Sequence, residues 1–140
     1  MPETSASKAG FDWRDLERFA FGDNPDLADR LGALVVAGAK TATCWAVVEG
    51  LKGVEPGKMM VALDGTGRPL AVIQTVELTQ RRFHDVDAAF AFDEGEGDRS
   101  LAYWRQAHRT YFTRLGTFAP DMLLYCERFR LVMRLGDAAG

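Results

Sequence analysis

Residues 38–43, Gly-Ala-Lys-Thr-Ala-Thr, connect a helical pattern to a strand pattern and so decide how the chain folds. Gly38 suits the left-handed position that ends a helix. Residues 41–48 are rich in β-branched and aromatic side chains, which is typical of a strand. Before the stretch, apolar residues recur at helical spacing: Leu27, Leu31, Leu34 and Val35. The sequence therefore predicts a helix-to-strand corner at residues 38–43.

The corner carries a lysine and a hydroxyl, Lys40 and Thr43. In a fully extended segment the two side chains point to opposite faces, whereas a bend lets them converge on one cleft. A desolvated lysine loses its proton more readily and can then act as a base toward the hydroxyl or a water. We therefore predict an active site here; the alternative is a solvated lysine after an ordinary helix cap.

Length and composition indicate one domain. The chain has 140 residues, of which 47% are hydrophobic and 26% charged, and these proportions are ordinary for a globular protein. Residues 1–10 are small and polar and are expected to form a disordered N-terminus, and residues 136–140 a flexible tail. The single domain is expected to span residues 11–135.

The charge balance restricts the classes of partner. A formal net charge of −3 opposes a protein that holds long nucleic acid by bulk electrostatics, so any such contact must be local. Arg82, beside Arg81, is one local basic group. No apolar run reaches the roughly 18 residues of a membrane helix, and the first residues lack the order of a secretory signal. We expect a cytoplasmic protein without a membrane partner.

The order of predicted elements favours an α+β fold. A short helix is expected from Asp12, with Trp13, Leu16 and Phe19 or Ala20 on one face. Three further helices are predicted at residues 25–37, 87–92 and 99–115, the first capped by Asn24 and Pro25. Strands are predicted at residues 41–48, 59–63, 70–78 and 122–133. A small, partly closed β-barrel with packed helices fits this order.

The segment Asp93-Glu94-Gly95-Glu96-Gly97-Asp98 alternates acids with glycines, so carboxylates crowd at one place. Such a run suits a general base, an oxygen-ligand metal site or a clamp for a cation such as Lys40. The alternative is a solvated acidic loop that caps the next helix. On that helix Trp104 and His108 lie one turn apart, and His108 is interpreted as a core or groove histidine.

These motifs together resemble the ASCH family. The matching residues are Phe21-Gly22-Asp23, Gly38 to Thr43, Glu94 to Asp98, Trp104 and His108. The resemblance implies a PUA-like β-barrel with flanking helices and an RNA-associated role. Some members of the family are assigned single-stranded ribonuclease activity, and shorter ones hydrolyse the amide of N4-acetylcytidine. In those hydrolases the working residues match Lys40, Thr43 and Glu94, with Glu96 as the alternative acid.

The resemblance leads to a hydrolase hypothesis in which Glu94 holds Lys40, and Lys40 takes a proton from Thr43 or a water. An aromatic side chain would stack on the base, which contributes about 1–3 kcal/mol. No cofactor and no metal are expected, and the oligomeric state stays open. The substrate, a modified nucleoside or single-stranded RNA, is expected to contact Gly38, Thr41, Arg82, Phe92, Glu96, Tyr103, Trp104 and His108.

Two other functions would use the same cleft. A ribonuclease would use Lys40 to stabilise phosphate charge, with a divalent ion on Glu94, Glu96 or Asp98. A non-catalytic RNA-binding module would place Lys40 and the arginines on phosphates and the aromatic side chains on bases.

Overall fold

A computed structural model of the chain describes residues 12–135, which form an α+β fold around one five-stranded sheet. The three α-helices are α1 (Pro25–Val36), α2 (Ala88–Glu94) and α3 (Leu101–Leu115). Short 3-10 helices cover Trp13–Asp15, Val47–Glu49 and Phe83–Asp85. The strands are β1 (Arg18–Ala20), β2 (Ala42–Ala46), β3 (Met59–Leu63), β4 (Pro69–Arg82) and β5 (Leu123–Arg134). The expectations for residues 1–10 and 136–140 lie outside the described residues.

The sheet is open. Its strand order is β1-β3-β4-β5-β2, with β1 parallel to β3 and the other neighbours antiparallel. Strands β1 and β2 lie at opposite edges, so the described strands do not close on themselves. The α+β prediction is confirmed, whereas the predicted PUA-like barrel is not. No helix between residues 12 and 135 is long and apolar enough to cross a bilayer.

Helix α1 and the corner after it follow from local signals. The Asn24 side chain accepts a hydrogen bond from the backbone N–H of Leu27, and Pro25 occupies the first turn. The helix buries a stripe that includes Leu31 and Val35 and packs against the sheet. Gly38 adopts a φ of 85°, which only glycine adopts at little cost. The predicted helix-to-strand corner is confirmed.

The helix predicted from Asp12 is wrong. Its first residues form the short 3-10 helix Trp13–Asp15, and the next ones form β1. Strand β1 pairs in parallel with β3, with Phe19 opposite Ala62. Because β3 lies about forty residues downstream, the pairing depends on tertiary contacts that override the local helical spacing.

Helices α2 and α3 cover the other face of the sheet. Ser100 caps α3 by accepting from the backbone N–H of Tyr103. The α3 side chains Trp104 and Phe112 are buried against Phe83 and Phe90. This packing fixes the start of α3 beside the acidic segment between the two helices.

Candidate active site

The acidic segment lies directly against the corner. Gly95 ends α2 in the left-handed conformation, and a Cβ there would lie 2.5 Å from the carbonyl oxygen of Ala39. The backbone N–H of Thr41 donates to the carbonyl oxygen of Asp93 over 2.7 Å. The Arg99 guanidinium donates to the carbonyl oxygen of Ala39 over 3.1 Å. A glycine is required at position 95 because any side chain would separate the two segments.

This contact buries an ion pair between Lys40 and Glu94. Both side chains are 1% exposed, and Lys40 Nζ lies 2.7 Å from Glu94 Oε1. The ammonium also donates to the backbone carbonyl of Glu94 over 3.3 Å and to Glu96 Oε2 over 3.4 Å. All three N–H bonds of the ammonium therefore have acceptors. Of the two candidate acids, Glu94 makes the shorter contact.

The second oxygen of Glu94 contacts α3. Trp104 Nε1 donates to Oε2 over 3.1 Å, and His108 Nε2 lies 3.6 Å from the same oxygen. The two rings stack with centroids 4.3 Å apart, and His108 Nδ1 lies 3.0 Å from the Trp104 carbonyl oxygen. The indole N–H of Trp104 therefore holds the Glu94 carboxylate in position. The ring itself is buried and is not placed to stack on a substrate.

Lys40 and Glu94 each keep the other side chain ionised. Burial would lower the pKa of Lys40, but the carboxylates of Glu94 and Glu96 raise it above its ordinary value. Burial would raise the pKa of Glu94, but Lys40, His108 and Trp104 lower it. In the resting site Lys40 is therefore an ammonium and Glu94 a carboxylate. Lys40 can act as a base only after a proton moves.

The pair faces a cavity of about 440 Å³, here called the lysine cavity, whose lining includes Lys40, Thr43, Glu94, Tyr103, His108 and Tyr111. All three predicted catalytic residues thus share one cavity. Within residues 12–135 no hydrogen bond joins Lys40 to Thr43. A bidentate contact between Arg114 and Asp23, with distances of 2.9 and 3.0 Å, ties α3 to the segment before α1 at this cavity.

A second cavity of about 360 Å³, here called the glutamate cavity, adjoins the first. Its buried acid is Glu127, which is 5% exposed and accepts a hydrogen bond from Thr75 Oγ1 over 2.6 Å. Burial raises the pKa of Glu127, although the Thr75 hydroxyl and Lys40 oppose this shift. The two cavities share Phe21, Gly22, Thr43, Cys44 and Tyr111.

Several predicted substrate contacts lie elsewhere. The Thr41 hydroxyl donates to the Asp93 carbonyl over 3.4 Å, and Arg82 donates to the carbonyl of Asp121 over 2.9 Å. Phe92 is exposed, with the Arg99 guanidinium 3.7 Å from its ring centroid. Five of the predicted substrate contacts therefore do not line either cavity: Gly38, Thr41, Arg82, Phe92 and the buried Trp104. Glu96, Tyr103 and His108 do line the lysine cavity.

One group of side chains has donor atoms close enough to hold a metal ion. Atoms of Cys44, Glu94 and His108 lie within 4.8 Å of one another. Sulfur, oxygen and nitrogen donors suit zinc. The ammonium of Lys40, 2.7 Å from the Glu94 carboxylate, opposes a second cation there. Burial and the Glu94 carboxylate raise the pKa of the Cys44 thiol, which also opposes metal binding because thiolate is the ligand form.

Sequence reasoning missed Cys44, Tyr111 and the buried Glu127 with its Thr75 partner. A signal for Glu127 was present, because it is an acid within an apolar closing strand. The inward direction of its side chain depends on the register between β2 and β5, in which Thr43 lies opposite Glu127. Register over this distance is not visible in the sequence.

A family model and one of the similar solved structures name the same family, the ASCH domain. The model of the ASCH domain matches residues 17–133. The chain is 33% identical to protein EF3133 from Enterococcus faecalis V583, with a TM-score of 0.81 over 95% of this chain and 86% of the other. It is 30% identical to an ASCH domain from Lactobacillus crispatus JV V101, with a TM-score of 0.79 over 94% and 87%. No curated protein matches significantly.

Proposed function

The chain belongs to the ASCH domain family, and we propose that it is a hydrolase cleaving the amide of an N4-acylated cytidine-type nucleoside. The observation that carries this proposal is the buried Lys40–Glu94 pair, which opens onto a cavity that Thr43 also lines. Buried, charged and desolvated side chains in a concave site are typical of catalytic groups.

The size of the cavities favours a small substrate. Volumes of about 440 and 360 Å³ fall in the range of sites for single small molecules. The net charge of −3 gives no general attraction for a polyanion. A nucleoside fits these properties better than a long RNA strand does.

The ammonium of Lys40 has a direct role in amide chemistry. An amide carbonyl oxygen gains negative charge as its carbon is attacked, and a desolvated N–H donor stabilises that charge. The longest contact of Lys40, 3.4 Å to Glu96, is the one that a substrate oxygen would replace. Glu94 would keep its 2.7 Å contact and hold the ammonium in place.

The nucleophile is the Thr43 hydroxyl or a water bound beside it. Transfer of one proton from Lys40 to Glu94, over the 2.7 Å that separates them, produces the neutral amine that accepts the nucleophile's proton. By accepting that proton Lys40 becomes an ammonium again and donates to the carbonyl oxygen while the new C–O bond forms on the acyl carbon. The C–N bond then breaks as Lys40 gives a proton to the leaving nitrogen, and Glu94 returns its proton to Lys40. If Thr43 attacks, a water then hydrolyses the ester, and the products are a cytidine-type nucleoside and a carboxylic acid.

The test is turnover of N4-acetylcytidine by the purified protein, measured as release of cytidine. We expect turnover by the wild type, its loss in Lys40→Ala and Glu94→Gln, and a loss of at least about a hundredfold in Thr43→Val. Glu96→Gln is the matched control and should keep most of the rate. Thr43 is half-buried, so its variant tests the site even if the lysine variant is unstable.

A metal-dependent ribonuclease is the second candidate: the donor atoms of Cys44, Glu94 and His108 lie close together, although the ammonium of Lys40 opposes a cation beside Glu94. A labelled single-stranded RNA, incubated in parallel with and without a chelator, separates the two activities. Intact N4-acetylcytidine with chelator-sensitive RNA cleavage would replace the hydrolase proposal. If both substrates stay intact while RNA binds in a salt-sensitive manner, the cleft is an RNA-binding site.

A further inference from the structure

Glu127 has an unused hydrogen-bonding oxygen. Its Oε2 accepts from Thr75 Oγ1 over 2.6 Å, whereas Oε1 has no hydrogen-bond partner within residues 12–135. The residue is 5% exposed and lines the glutamate cavity. A buried acceptor without a partner is costly, and a ligand donor in the cavity would complete it.

The position of Glu127 links it to the reacting end of the cleft. Thr43 on β2 and Glu127 on β5 are direct partners in the antiparallel ladder. Direct partners point to the same face, with Cβ atoms about 4.5–5.5 Å apart. A substrate whose acyl carbon is attacked by the Thr43 hydroxyl, or by a water beside it, therefore lies within reach of the free Oε1 of Glu127.

The walls of the glutamate cavity suit a flat ring. Its lining includes the aromatic side chains of Phe19, Trp45 and Tyr111 beside Glu127. Aromatic walls favour planar ligands because stacking needs no specific hydrogen bond. Arg18 and Lys52 line the same cavity, where their charges suit the polar or phosphorylated end of a nucleotide.

We propose that Glu127 is the specificity residue for the base, its free oxygen accepting the exocyclic N–H of a cytosine-type pyrimidine held in the glutamate cavity. The inference rests on the proposed function, because that N–H belongs to the amide whose carbonyl Lys40 binds. Carboxylates pair with the amino group of cytosine in other recognition sites. Burial raises the pKa of Glu127, and this contact is compatible with the protonated acid. When Oε2 carries the proton it donates to the Thr75 hydroxyl, and Oε1 remains an acceptor.

The first test changes the ligand and leaves the protein intact. Wild-type protein is titrated by calorimetry with cytidine and with the ribonucleoside of pyrimidin-2-one, which lacks the exocyclic amino group. We expect the second to bind at least about tenfold more weakly, because a buried acceptor then loses its donor. Equal affinities, or binding of neither nucleoside, would overturn the inference.

The second test changes the acceptor. Glu127→Met removes both oxygens and should abolish the preference for cytidine, whereas Glu127→Gln keeps a carbonyl oxygen and should retain it. Glu77→Met is the matched control, because Glu77 lies on the same sheet but is half exposed and pairs with Arg128. A preference that survives in Glu127→Met would refute the role of Glu127.

Turnover of N4-acetylcytidine, measured on the same samples, separates the two proposals. Preferential cytidine binding without turnover supports the role of Glu127 and rejects the hydrolase. Turnover with equal affinity for the two nucleosides supports the hydrolase and rejects the role of Glu127.

Discussion

Two buried glutamates line adjoining cavities, and the pKa values of their carboxyl groups are shifted in opposite directions. Glu94 is 1% exposed and Glu127 is 5% exposed. The pKa of Glu94 lies below its ordinary value of 4.5, because the contacts of Lys40, His108 and Trp104 outweigh burial. The pKa of Glu127 lies above it, because burial outweighs a single strong hydrogen bond from Thr75. Burial alone therefore does not set the charge of a carboxyl; its partners do.

The contrast assigns different tasks to the two sides of the cleft. The side of Glu94 holds an ion pair that can stabilise developing charge and exchange a proton. The side of Glu127 offers a fixed acceptor among aromatic side chains, which suits recognition of a base. Thr43 lies at the boundary, since it lines both cavities.

Removing the Lys40 ammonium should raise the pKa of Glu94, as burial raises that of Glu127. Of the changes considered, this one should have the largest effect on stability. Lys40→Met leaves the buried carboxylate of Glu94 unpaired, so we expect a loss of about 3–5 kcal/mol in the free energy of unfolding. Because the pKa of Glu94 would then rise, the loss should be greatest at alkaline pH and shrink as the pH falls. Denaturant unfolding at several pH values measures this.

The double variant Lys40→Met/Glu94→Leu is its control. It removes both charges and should recover much of the lost stability. A double variant no more stable than Lys40→Met would show that the unpaired carboxylate is not the cause.

Removing the indole donor should have an intermediate effect. Trp104→Phe deletes the hydrogen bond to the Glu94 carboxylate and should cost about 1.5–3 kcal/mol, in the range for bonds to charged groups. Trp45→Phe deletes a bond to the neutral carbonyl of Gly50 and should cost about 0.5–1.5 kcal/mol. Thermal unfolding compares the two; a larger loss at Trp45 would contradict the importance of the charged acceptor.

The pH dependence of Glu127→Gln tests the other acid. Since the folded pKa of Glu127 lies above 4.5, the unfolded chain releases this proton first as the pH rises, and the wild type loses stability through that range. The glutamine variant does not have this loss. Its stability relative to the wild type should rise from about pH 4.5 upward, as measured by unfolding. A relative stability that falls with pH would mean that the folded pKa is lowered.

Glu96→Gln should produce the smallest effect. Its contact with Lys40 is long, at 3.4 Å, and Glu94 remains to balance the ammonium. We expect a stability change below about 1 kcal/mol and a turnover rate close to that of the wild type. A loss as large as in Glu94→Gln would reverse the assignment of the two acids.

Local signals explain what the sequence predicted well. The cap at Asn24, the glycine at position 38 and the cap at Ser100 each act within a few residues, so α1, the corner and α3 were predicted close to their observed bounds. Strand β1 was mistaken for a helix because its pairing with β3 depends on a distant segment. The same limit applies to the barrel, whose closure depends on how the edge strands lie.

The candidate site was predicted in part for the same reason. Lys40, Thr43 and Glu94 come together because turn-forming glycines bend the chain at both segments. The helical stripe on α3 shows that Trp104 faces inward. It does not show that the indole donates to the Glu94 carboxylate and is buried instead of lining the cavity. Glu127 was missed because its burial and register depend on β2 and β4 together.

The most direct test of the contrast between the two acids is an NMR titration of the side-chain carboxyl carbons in the intact protein, assigned with Glu94→Gln and Glu127→Gln. Glu94 should titrate below 4.5 and Glu127 above it. Titration of both carboxyl groups on the same side of 4.5 would contradict this contrast.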